Sequence, residues 1–163
     1  MFPYVAIALA GINLILAILG MALDWITVVD EISGETIGDN LWVSINVALF
    51  KAAQAFLVLT LFGAFVTVLL CSGAIAKRVS WVGVMVGNGL TAVFALVSFV
   101  CFVAFDIKFN LPGSYSAGFG CTVAVCFIAG IGACVSWLAH RNTTRNSLHN
   151  PGNMEENSPA TKV

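Results

Sequence analysis

Charge is what this sequence has least of. Of its 163 residues 9% are Asp, Glu, Lys or Arg, where a soluble domain carries roughly 25%. In contrast, 60% are hydrophobic and the mean hydropathy is +0.98. A chain this poor in charge cannot clothe a water-facing surface, so lipid must solvate most of it. The net charge is −1, and no basic patch is interleaved with aromatics, which argues against nucleic acid as a partner. Histidine is scarce too. His140 and His149 both stand at or beyond the last apolar run, so a haem or metal site inside a helical bundle lacks its commonest ligand. Cysteine is missing from the first 70 residues. Cys71, Cys101, Cys121, Cys126 and Cys134 all fall inside or at the edge of apolar runs and read as small buried hydrophobes, not as a disulfide framework or metal cluster. No ionisable group lies deep in any apolar run. Pumps, proton relays and voltage sensors depend on such groups, so an ion path through this chain alone is disfavoured. No nucleophile–base pair can be assembled, and the expectation is a protein that is not an enzyme and uses no cofactor.

What is present is apolar length. Four runs stand out, at residues 2–23, 47–76, 79–105 and 115–139, and each reaches the roughly 20 residues that a membrane-spanning helix needs. The first is expected to be a retained span and not a secretory signal, because no basic residue precedes Lys51 and the run exceeds the roughly 7–15 apolar residues of a signal. The expected fold class is therefore an all-α membrane protein with four spans. Lys77, Arg78, Arg141, Arg145 and Lys162 share one side of such a topology, and Lys51 and Lys108 the other. The positive-inside rule then places both termini in the cytoplasm. The Asn142-Thr143-Thr144 sequon follows the fourth span and stays cytosolic and unglycosylated in this topology.

The connections differ in length. Little more than Lys77-Arg78 separates spans two and three, which makes them antiparallel neighbours. The outer loops are residues 24–46 and 106–114, the second broken by Pro112-Gly113. In the first, Trp25–Val29 and the segment 41–45 are rich in β-branched and aromatic residues. They flank a polar, glycine-containing stretch at 33–40, a strand–turn–strand signal. A lone hairpin is marginal in water and must lie on the helix ends or on a partner. Residues 142–163 are polar, contain Pro and Gly and lack periodicity, and are expected to be disordered.

Several features invite a functional reading beside a plainer one. Asn13, Gln54 and Asn88 fall within spans and read as interhelical hydrogen-bonding groups before they read as a substrate path. Small residues recur every fourth position, at Gly83, Gly87, Thr91 and Ala95 in span three and at Cys126, Gly130 and Cys134 in span four. Such stripes let backbones approach where no hydrophobic effect drives helices together. Packing within the bundle is the preferred reading, and a face for another membrane protein the sharper one. Cys71 and Cys134 lie within a turn or two of their cytosolic helix ends, in reach of palmitoylation, although burial is the plainer reading. Thr161-Lys162-Val163 fits the pattern by which a C-terminus adds to a PDZ sheet edge, which would make a cytoplasmic PDZ scaffold a partner. Asp24, Asp30, Glu31, Glu35 and Asp39 give the first loop five acids and no base. That is either a solvated loop or a surface that attracts cations or reads a partner.

Taken in order, Trp25, then Leu41-Trp42, then a second span opening with Phe50-Lys51-Ala52-Ala53-Gln54, then a fourth entered through Tyr115-Ser116-Ala117-Gly118-Phe119-Gly120 resembles the claudin, peripheral myelin protein and epithelial membrane protein superfamily, amastins included. The resemblance runs to about Arg141. It implies a left-handed four-helix bundle with a small extracellular β-sheet built from the first loop, and it matches Trp25, Leu41 and Trp42 to the signature that anchors this sheet at the membrane surface. It also implies action by contact, in cell–cell junctions, as membrane organisers, or as auxiliary subunits of channels and receptors. This sequence departs from claudins in having a shorter first loop with no cysteine, so their loop disulfide cannot exist. The expectation is therefore an accessory or assembly subunit in the plasma membrane, whose partners are lipid and other integral membrane proteins or further copies of itself. The alternatives are a junctional adhesion protein and an oligomeric cation path lined by the acidic loop.

Overall fold

In a computed structural model of the chain, residues 2–29, 36–40, 48–109 and 114–149 are described. They form α1 (Phe2–Ala22), β1 (Asp24–Val29), β2 (Thr36–Asn40), α2 (Ala48–Ile75), α3 (Trp81–Phe109), β3 (Ser114–Tyr115) and α4 (Ala117–His149). All four helices are long and apolar enough to cross a membrane. They form a ring in which α2 packs most extensively against α3, α3 against α4 and α4 against α1, while the α1–α2 seam is the thinnest.

The bundle reverses the soluble pattern. Many large apolar side chains, such as Ile15, Phe62, Phe65, Val93 and Phe127, face outward, and apart from aromatic and aliphatic residues gathered mainly near its ends the interior is built largely of Ala, Gly, Ser, Thr and Asn. Lipid tails are as apolar as Leu, so burying Leu gains little in a bilayer. Small residues gain van der Waals contact by letting backbones approach. The buried positions follow one repeat throughout. In α2 they are Phe50, Ala53, Leu57, Thr60, Ala64, Thr67, Cys71 and Ala74, alternating steps of three and four. The same alternation runs from Ala6 to Gly20 in α1, from Trp81 to Phe105 in α3 and from Gly118 to Ala139 in α4. This is a repeat of about 3.5 residues, not the 3.6 of a straight helix.

The repeat stacks the core in layers. Trp25, Phe50, Ala53, Leu57, Phe102 and Phe105 fill the sheet end. Ala17, Ala64, Ala95 and Val125 form a middle layer. Ala6, Ala10, Cys71, Ala74, Trp81, Val84 and Ala139 fill the other end. Between these apolar layers the same helices present Thr60, Ser98 and Thr122 on one side of the middle, and Asn13, Thr67, Asn88, Thr91 and Ser136 on the other, all buried.

The turn between α2 and α3 has an identifiable stop. Lys77 stands at φ 57°, its N–H donates to Ala74 O at 3.1 Å and the Arg78 N–H to Gly73 O at 2.9 Å. These two bonds make a Schellman cap with lysine at the left-handed position where glycine is usual. Because the turn takes residues 76–80, α3 begins at Trp81 and not at 79. It runs on past 105 to Phe109.

Other expectations shift at the ends. Tyr115 belongs to β3, and the fourth helix begins at Ala117. Residues 142–149, expected to be disordered, continue α4. A helix nucleated in the membrane propagates one bond per residue, no breaker precedes Pro151, and Thr143 and Thr144 donate to Ala139 O and His140 O. The second strand, Thr36–Asn40, falls inside the stretch read as a turn. Residues 41–45, read as the strand, lie outside the described residues. The pairing of β1 with β2 runs from Asp24↔Asn40 to Val29↔Thr36.

The sheet order is β2-β1-β3, with β1 antiparallel to both neighbours. Asp24 pairs with Asn40 and Ile26 with Asp39, so Trp25 is the extra residue of a β-bulge. Bulges re-aim a side chain, and here the side chain is the indole that meets the bundle.

Candidate functional site

Two regions concentrate chemistry, one at each end of the bundle. At the sheet end Trp25 is 1% exposed. Its Nε1–H donates to Gly20 O at 2.6 Å, and its ring meets Phe102 edge-on at 4.9 Å and Phe119 at 5.9 Å. The indole thereby satisfies its one donor and buries the rest of its surface. Its carbonyl accepts from Ser116 N–H at 2.9 Å, which ties β1 to the start of α4. Gly118 makes this approach possible, because a β-carbon there would stand 2.5 Å from Leu23 O and 2.8 Å from Asp24 O. Tyr115 stacks on Phe119 at 4.3 Å, and its hydroxyl donates to Asp106 Oδ2 at 2.6 Å. That hydrogen bond to a carboxylate holds the phenol above its ordinary pKa, with burial and the Asp106 charge adding to the effect. Of these residues the sequence singled out Trp25. Gly118 was named only within the motif that opens the fourth span, with no role, and Phe102 and the Tyr115–Asp106 link were missed. The first two hold the core phase of their helices, a signal open to a 3.5-residue count, whereas the link depends on β3.

Leu41, Trp42, Asp30, Glu31, Glu35, Thr161 and Val163 lie outside the described residues. Asp39 sits in β2, its backbone opposite Ile26. The two small-residue stripes part company. Gly87 faces α2, where a β-carbon would meet Thr67 Oγ1 at 2.9 Å, and Gly83 lies 3.6 Å from Val79 by the same measure. In α4 a β-carbon on Gly130 would meet nothing within 4 Å, and Cys134 is exposed. The expected packing role of Gly130 and Cys134 inside the bundle is therefore corrected. The α4 core passes Gly130 on either side, through Ala129 and Gly132, because the 3.5-residue repeat sets the inward phase there.

The buried polar groups also differ from expectation. Thr60, Thr67, Thr91, Thr122 and Ser136 each donate to the carbonyl four residues back in their own helix. Asn88 Nδ2 does the same to Val84 O at 3.2 Å. Away from water a short side chain finds its nearest acceptor on its own preceding turn. Ser98, donating to Ala53 O at 2.8 Å, is a bond that crosses between helices. Asn13 is 1% exposed, and neither its Oδ1 nor its Nδ2 has a partner among the described residues.

At the opposite end a cavity of about 670 Å³ opens between the first turn of α1, the α2–α3 turn and α4. Lys77, Ser80, His140, Thr143 and Thr144 supply its polar wall, and Tyr4, Ile75 and Trp81 part of its apolar one. Arg78, Arg141 and Arg145 are exposed close by in sequence, with the Arg141 guanidinium 5.6 Å from the Trp137 ring centroid. The described carboxylates, Asp24, Asp39 and Asp106, all belong to the sheet end. The bundle thus has a basic end and an end that carries its described acids.

Compared with known proteins, the chain matches no family model, no curated protein and no solved structure at a significant level.

Proposed function

We propose that this chain is a claudin-like four-span membrane protein that works by protein–protein contact, as an accessory or assembly subunit of a membrane channel or receptor complex, or as a membrane organiser. The observation that carries the reading is the seating of β1 on the bundle through Trp25, which turns a sheet otherwise marginal in water into a platform fixed to the helices. Strand addition or side-chain contact at such a platform is a general mode of recognition. The interior supports the same view, because most of its buried hydroxyl groups bond within their own helices, leaving the outer surfaces as the place for work. The burial repeat of about 3.5 residues supports a left-handed bundle. The concentration of Lys77, Arg78, Arg141 and Arg145 at one end supports cytoplasmic termini, with the sheet outside the cell and the plasma membrane as the site of action.

Purification of the full chain from its native membrane in a mild detergent, followed by identification of what accompanies it, tests the proposal. A stoichiometric complex with a different membrane protein, lost when the sheet is loosened by Trp25→Ala while the helices persist, is the expected outcome. A homo-oligomer with no companion overturns the subunit reading. A cation conductance from the reconstituted chain alone, abolished by neutralising Asp30, Glu31 and Glu35, moves the function to the oligomeric path.

A further inference from the structure

Lysine at position 77 occupies a backbone conformation that an L-residue adopts at a cost of about 1–2 kcal/mol, and glycine would cap α2 there without it. The residue at that position lines the cavity at the basic end, as do His140 of α4 and Ser80 of the turn. Ser80 Oγ accepts from Val82 N–H at 3.3 Å, which leaves its O–H free to be aimed elsewhere. The cavity's volume of about 670 Å³ lies within the range of small-molecule sites. No described carboxylate shares this end to neutralise it.

Where the cavity sits fixes what can reach it. It lies at one end of the bundle, with residues of all four helices in its wall. Tyr4 and Trp81 line it, and Trp137 stands exposed under Arg141 on the neighbouring turn of α4. Tyr, Trp and Arg at one level mark headgroup depth. Tyr4, Ile75 and Val79 line the cavity and are themselves exposed, so it can be entered from the lipid. Its wall is split between apolar side chains and hydrogen-bond donors, as a ligand with an acyl part and a charged head requires.

We propose that this cavity is a binding site for the phosphate-bearing headgroup of an anionic phospholipid, with Lys77 pairing with the phosphate as a point charge, Ser80 and His140 donating to its oxygens, and Tyr4, Ile75 and Trp81 holding the glycerol and upper acyl carbons. Basic pockets between transmembrane helices recognise anionic headgroups by this chemistry. The inference rests on the membrane insertion of the four helices and on the cavity, and it is independent of the partner reading above.

The test uses the full-length chain in nanodiscs of phosphatidylcholine, with and without phosphatidic acid, followed by release into native mass spectrometry and by thermal unfolding. Wild type is expected to retain phosphatidic acid in preference to phosphatidylcholine and to unfold at higher temperature in its presence. Lys77→Gly is the telling variant, since it relieves the backbone strain. It is expected to unfold at or above the wild-type temperature in phosphatidylcholine while retaining about fivefold less phosphatidic acid. His140→Gln keeps a donor and is expected to retain more than Lys77→Gly does. Equal retention of the two lipids by wild type overturns the proposal, and so does undiminished retention by Lys77→Gly. Inorganic phosphate that stabilises the detergent-solubilised protein as strongly as the lipid does overturns the assignment to a lipid in favour of a soluble phosphate.

Discussion

At Gly132 a β-carbon would stand 2.8 Å from Oδ1 of Asn88 and 3.1 Å from its Cγ, whereas two residues earlier, at Gly130, it would meet nothing within 4 Å. Composition cannot tell these two glycines apart. Gly132→Ala is expected to destabilise by about 1–3 kcal/mol, because a buried amide bonded to Val84 O must move. Gly130→Ala is expected to stabilise by up to about 1 kcal/mol through helix propensity alone. Unfolding of both variants in the same micelle checks the contrast. A loss at Gly130 equal to that at Gly132 would return Gly130 to the interior. The same scale explains why Asn13 and Asn88, alike in sequence, differ in place. Asn88 reaches a carbonyl one turn back, and Asn13 has no partner among the described residues. Which buried amide finds an acceptor depends on rotamer and packing, which the sequence does not print.

At the scale of elements, the helices follow from composition and the sheet does not. Apolar runs of this length can satisfy their backbone groups in lipid only as helices or closed barrels, so α1 to α4 were legible to within a few residues at most boundaries. The exceptions are physical. The Schellman cap at Lys77 delays α3, and helix propagation carries α4 through residues 142–149. The strands are short, and the partner of β1 over residues 114–115 lies far along the chain, where no local pattern announces it. Trp25 is the hinge between the two kinds of element. Trp25→Phe keeps a ring between Phe102 and Phe119 but loses the bond to Gly20 O, and is expected to cost about 1–3 kcal/mol. Trp25→Ala is expected to cost about 3–5 kcal/mol. Hydrogen exchange should show the difference by place. The amides of β1 and β3 exchange faster in Trp25→Ala, with those in the middle of α2 and α3 unchanged. Uniform acceleration across all four helices would mean that the sheet is not a separable platform.

For the whole molecule, the proposed orientation rests on the segregation of charge. Lys77, Arg78, Arg141 and Arg145 share the basic end, with the described carboxylates at the other. With the basic end in the cytoplasm, Asn142 receives no glycan. A sequon introduced into the first loop by the pair Ser33→Asn and Glu35→Ser is expected to be glycosylated in cells, giving a mobility shift that endoglycosidase removes. A glycan on Asn142 with none in the first loop would invert the molecule, and the sheet would then face the cytoplasm.

The sequence by itself determined that four helices form and that they stand in lipid, because burying unpaired backbone in hydrocarbon leaves few alternatives and 9% charged residues cannot solvate a water-facing surface. It placed no Asp, Glu, Lys, Arg or His deep inside the four apolar runs. Tertiary structure decided which face of each helix turns inward, since in a bilayer both faces are apolar and close backbone approach, not hydropathy, makes the choice. It also decided that Trp25 is a bulged residue driven into the bundle, and that Lys77, His140 and Ser80 share one cavity. These groups are up to 63 positions apart in the chain, and the meeting of helix ends is what brings them together.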